Sequence, residues 1–180
     1  MYAILRRYFA MNAFDGAVTT LGLVMGFFIA NVQDVRVILI TVLATASAFF
    51  ISGFWSAYLA EEAERTNEIR ELEKKLLHSL KNSKLAKAVK LIALEAALVN
   101  GSSPAIVALF IISPFFLVWC SIIPLPLAFY ASIILALCVL VFLGVFLATI
   151  SEQSKLRLAC KMLLAGIFAI IISLILDIAS

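Results

Sequence analysis

"NAFDGAVTTLGLVMGFF", residues 12–28, sets one carboxylate, Asp15, inside an otherwise apolar run. An ionisable side chain at the centre of a membrane helix costs about 2.5–3.5 kcal/mol on insertion scales, and such groups face a bundle interior or a watery cavity. The run extends from Tyr8 to Ala30. That is long enough to cross bilayer hydrocarbon roughly 30 Å thick. Arg6 and Arg7 give it a basic start, but it lacks a clear small-residue cleavage site. It is therefore expected to be a retained first helix rather than a cleaved signal.

Four further apolar stretches lie outward from this one: Val37–Ala60, Pro104–Ile123, Leu127–Ile150 and Leu156–Leu176. Of the 180 residues, 64% are hydrophobic and 14% charged, and the mean hydropathy is +1.14. Soluble domains are about half apolar and about a quarter charged. None of the stretches alternates as barrel strands do, and a helix satisfies its own backbone polar groups in lipid. The expected fold is an all-α integral membrane protein of five transmembrane helices, with a cytoplasmic helical hairpin between helices two and three. Residues 1–60 hold spans one and two, 61–102 the hairpin and 103–180 spans three to five.

Thirteen of the fourteen Lys and Arg residues fall on one side if every stretch crosses, Arg36 being the exception. The positive-inside rule makes that side cytoplasmic. The N-terminus is then inside and the C-terminus outside. The net charge of +3 becomes a basic face beside anionic headgroups, and no nucleic acid is implied.

The one sizeable polar segment begins "EEAERTNEIRELEKKLLHSL" at Glu61 and continues span two without Pro or Gly. A long helix should leave the bilayer here and break at Asn82-Ser83. A second helix should then run to Asn100-Gly101, a helix-stop pair, with Ser103-Pro104 restarting the chain. Ile69, Leu72, Leu76 and Leu80 form an apolar stripe on the first hairpin helix. Glu61, Glu64, Glu68 and Glu71, spaced by three, four and three, share one face. They suit either a solvated face with pairs such as Glu61–Arg65 and Glu71–Lys75 or a carboxylate ladder for hard divalent ions such as Mg, Ca, Mn and Fe(II). Glu95, in "LIALEAALV", has apolar neighbours on both sides. It is placed either against headgroups or a lysine, or near Glu61 at the membrane surface.

Asn12, Asp15 and Thr19 form a stripe of oxygen-bearing side chains on the first helix, and Gly22 and Gly26 form a small-xxx-small pair. No basic residue inside a span neutralises Asp15. It is expected to be protonated, hydrated or holding a cation, or else bonded to a neighbouring helix. Cys120, Cys138 and Cys160 are scattered and suit packing, and the single histidine, His78, has no partner for catalysis or metal. No paired-Asp, Ser–His or His-rich set suggests an enzyme.

Three stretches resemble the vacuolar iron transporter family: "FDGAVTTLGLVMGF", "SGFWSAYLAEEAER" and "LIALEAALVNGSSPAIVALFIISPFF", the last with a proline, Pro114, within the span. The resemblance implies a homodimer that exports cytosolic Fe2+, or ions such as Mn2+, in exchange for protons. The metal is the substrate, and no permanent cofactor is expected. By position, Asp15 matches the pore aspartate, Glu61, Glu64, Glu68 and Glu71 the cytoplasmic metal-binding carboxylates, and Glu95 the glutamate before span three. The family's second-helix pore glutamate falls at Thr45 and its pore methionine at Gly53. The methionines near the third-span glutamate fall near Leu91 and Ile92. Losing the thioether removes a soft ligand. The alternative is a membrane-anchored metal-binding or sensing protein that does not transport.

Overall fold

A computed structural model describes residues 2–76 and 84–179, and the side chains of 5–75 and 91–178. The described residues form six helices: α1 (Tyr2–Ile29), α2 (Val35–Leu76), α3 (Lys84–Ile111), α4 (Ser113–Trp119), α5 (Leu125–Ser151) and α6 (Lys155–Ala179). All but α4 are long and apolar enough to cross a membrane. The apolar outside supports that reading. Ile40, Ile51, Phe142 and Phe168 are each at least 60% exposed on the single chain, which a water-soluble monomer rarely tolerates over so large an area.

The α1–α2 turn follows from its sequence. Asn31 takes φ 50°, the left-handed conformation that Asn tolerates better than most residues. The Val32 amide returns to the Phe27 carbonyl at 3.0 Å and closes α1. Asp34 then opens α2 by accepting the Arg36 backbone N–H on Oδ1 at 2.8 Å. With no Pro or Gly in the polar half, α2 continues for 42 residues, about 63 Å at 1.5 Å per residue. The expected Asn82-Ser83 break, with Leu80 and His78, lies outside the described residues.

The expected helix stop at Asn100-Gly101 and restart at Ser103-Pro104 are absent. Instead α3 runs unbroken through Gly101 and Pro104. Among the described residues, the stretch of α3 long and apolar enough to span is Leu91–Ile111, which begins well before Pro104. The cause is packing. A Cβ on Gly101 would lie 2.6 Å from the Phe50 carbonyl oxygen, and one on Gly53 would lie 3.0 Å from the Gly101 Cα. Gly101 is where α3 presses its backbone on α2, so the residue serves close approach and not a left-handed stop; no glycine has positive φ. The helix ends at Ile111 instead, three residues before Pro114. That proline sits in the first turn of the short α4, where its missing N–H is harmless and its ring prevents α3 from continuing.

Helix α1 packs mainly on α3, α5 and α6, α2 packs on α3, and α4 on α5 and α2. Two apolar clusters fill the bundle. One joins Val24, Ile38, Val42, Ala108, Ile112, Phe115 and Phe129 near the α1–α2 turn. The other joins Ala13, Ala17, Leu21, Ile111, Ala136 and Leu140 along α1, α3 and α5. Glycine sets two more crossings. A Cβ on Gly16 would meet Pro104 Cα at 2.6 Å, and one on Gly144 would meet Ala159 Cα at 2.6 Å. Cys120, Cys138 and Cys160 are free and exposed on the single chain, rather than packed inside.

Candidate functional site

Polar groups inside an apolar bundle must find partners or face the outside, and the side chains of α1 do both. Near the start of α1, Tyr8 donates its hydroxyl hydrogen bond to Glu61 Oε1 at 3.0 Å. Glu61 is buried to 4% exposure. Its other oxygen lies 3.4 Å from Arg65 Nε, and Arg65 also reaches Glu68 at 3.2 Å. The expected Glu61–Arg65 pair therefore forms, and α1 is tied to α2 through Tyr8. A carboxylate that is buried, hydrogen-bonded and paired has fewer lone pairs left for a metal.

One turn further along, Asn12 donates from Nδ2 to the Tyr8 carbonyl at 2.8 Å and to Asn100 Oδ1 at 2.5 Å. Asn100 in turn donates to the Gly53 carbonyl at 2.8 Å. This chain links α1, α3 and α2 where Gly53 and Gly101 meet. Asn12 thus belongs to an interhelical bond rather than to a stripe with Asp15. Thr45 gives its hydroxyl to the Thr41 carbonyl at 2.9 Å within its own helix.

Asp15 is different. It is exposed on the single chain, as is Thr19, and its carboxylate makes no hydrogen bond or ion pair among the described residues. Steps of four, three and four lead from Asp15 to Thr19, Gly22 and Gly26, which keeps all four on one helix face. Apart from the neighbouring backbone of α1 itself, no atom lies within 4 Å of where a Cβ would stand on Gly22 or Gly26. So α1 buries its alanine face, Ala10, Ala13 and Ala17, and leaves an uncovered face that carries an acid, a hydroxyl and two bare backbone positions.

Glu64 and Glu71 are exposed and Glu95 is half-buried. Glu95 makes no hydrogen bond or ion pair among the described residues. No three His, Cys, Asp or Glu side chains come together as a metal site among the described residues. Sequence reasoning did not anticipate Tyr8 or Asn100 as polar partners, and nothing local in the sequence pairs them with Glu61 and Asn12. It also passed over Thr20, fully buried with an unpaired hydroxyl like Ser132.

No protein-family profile, curated protein or solved structure matches the chain. The resemblance to vacuolar iron transporters therefore rests on the three quoted stretches alone.

Proposed function

We propose that the chain is a proton-coupled transporter that moves divalent cations of the Fe2+ or Mn2+ kind out of the cytosol, working as a homodimer whose α1 helices meet across the uncovered face. The observation that carries this reading is Asp15. An acid on an open face of a membrane helix, beside a hydroxyl and two glycines, is costly against lipid. Two such faces brought together give four carboxylate oxygens and two hydroxyls along one seam, a donor set for hard or borderline cations. Glycine at Gly22 and Gly26 permits the close backbone approach.

In this reading the N-terminus is cytoplasmic and the C-terminus is not, as the distribution of thirteen basic residues on one side favours. The polar half of α2, with the start of α3, forms the cytoplasmic hairpin. Glu64 and Glu71, both exposed, collect cations there, while Glu61 and Glu68 are engaged with Arg65. A cation displaces the proton of Asp15, and reprotonation from the far side releases it. Proton-driven Mn2+ or Fe2+ flux into liposomes is the test. Asp15→Asn should abolish it, and undiminished flux in that variant would remove Asp15 from the pathway.

The second reading, an anchored metal-binding or sensing protein, is favoured by Thr45 and Gly53 standing where the resembled family has pore ligands. It expects metal binding with no flux in the wild type.

A further inference from the structure

Arg36 stands apart from the other basic residues. It lies in the first turn of α2, at the positive end of the helix dipole, where a cation is unfavourable. Its guanidinium sits 5.4 Å from the centre of the Trp119 ring, a cation–π distance. No acidic side chain pairs with it among the described residues. The nearest candidate in sequence, Asp34, spends Oδ1 on the Arg36 backbone amide. The carbonyls at the end of α4 are also taken: Phe116, Leu117 and Val118 accept the amides of Cys120, Ile122 and Ser121.

Below this cation lies a groove of about 290 Å³ between α2 and α4, lined by Arg36, Leu39, Ile40, Leu43, Phe116 and Trp119. Arg36 is its one charged residue and stands at one end. From Arg36 to Leu43 the groove follows α2 for about 10 Å at 1.5 Å per residue. A Trp and an Arg at helix ends mark the headgroup level of a bilayer. The site therefore offers a positive charge at headgroup depth and an apolar slot running toward the hydrocarbon.

We propose that this groove is a binding site for an anionic phospholipid, its phosphate on Arg36 and one acyl chain along Leu39, Ile40, Leu43 and Phe116. Charge complementarity selects the occupant. A second copy of this chain would need to bring an acid to Arg36, and a zwitterionic lipid would bring its own cation.

The test uses the full chain in liposomes with Trp55→Phe, which leaves Trp119 as the only tryptophan of two. Its fluorescence is compared in vesicles containing phosphatidylglycerol or phosphatidylcholine brominated along one acyl chain, each normalised to the unbrominated lipid. Trp119 should select phosphatidylglycerol about fivefold, the ratio that about 1 kcal/mol for one basic residue beside an anionic surface converts to. Arg36→Gln should bring the ratio to unity, and Arg36→Lys should retain most of it. Equal quenching by the two lipids in the wild type, or selectivity that survives Arg36→Gln, would overturn the assignment. Absence of quenching by either lipid would show the groove covered by protein and would overturn it as well.

Discussion

At the scale of single residues, the polar groups of the bundle divide into those with partners and those without. Thr20 is fully buried and its hydroxyl is unpaired. An unsatisfied buried polar group costs roughly 1–3 kcal/mol, so replacing it by an apolar side chain of similar shape should help. Thr20→Val is expected to raise stability by about 1 kcal/mol, measured as a shift of the denaturation midpoint in mixed micelles. A clear loss would mean that the hydroxyl has a partner, such as bound water. Asn100 is the opposite case, since it both accepts from Asn12 and donates to the Gly53 carbonyl. Asn100→Ala should lower stability by about 1 kcal/mol, within the range measured for interhelical bonds in membranes. An unchanged midpoint would show that the network contributes nothing net.

Among the helices, α1 shows how one element can have two unlike faces. Its Gly16 side has no room, since a methyl group there would stand 2.6 Å from the Pro104 Cα, whereas Gly26 looks into open space. Gly16→Ala should therefore cost about 1–3 kcal/mol through overpacking. Gly26→Ala should leave the chain's own unfolding unchanged or slightly improved, because Ala is the better helix former. Equal effects of the two substitutions in the same unfolding assay would contradict this asymmetry. The five apolar segments were legible in the sequence because length and composition alone reveal a membrane helix. The course of α3 was not. Asn100-Gly101 and Pro104 carry the local marks of a stop and a start, yet the contact of Gly101 on Phe50 and Phe54 overrides them. Asp15 stood out as a lone acid in an oily run, but which side of α1 is covered depends on α3, α5 and α6. The partnership of Tyr8 with Glu61 spans 53 positions, and no short-range pattern encodes it.

For the molecule as a whole, the uncovered face of α1 and the groove at Arg36 are separate demands on the surroundings. On the proposed readings, the first is met by a second protein surface and the second by a lipid. Gly26→Leu should leave the single chain folded, since Gly26 is exposed and a Cβ there meets no other helix within 4 Å, and should abolish the proposed self-association. Subunit counting by photobleaching in liposomes checks this, and a dimer that persists in the variant would place the contact elsewhere. The glycine crossings carry a mechanical corollary. Where Gly53 meets Gly101 and Gly16 meets Pro104, main chain rests on main chain with no flexible side chain between to yield. Sliding along α3 would drive these backbones into each other, so the two contacts fix the register of α1 and of α2 against α3. On the proposed transport reading, a change of shape is then expected at the other helix contacts.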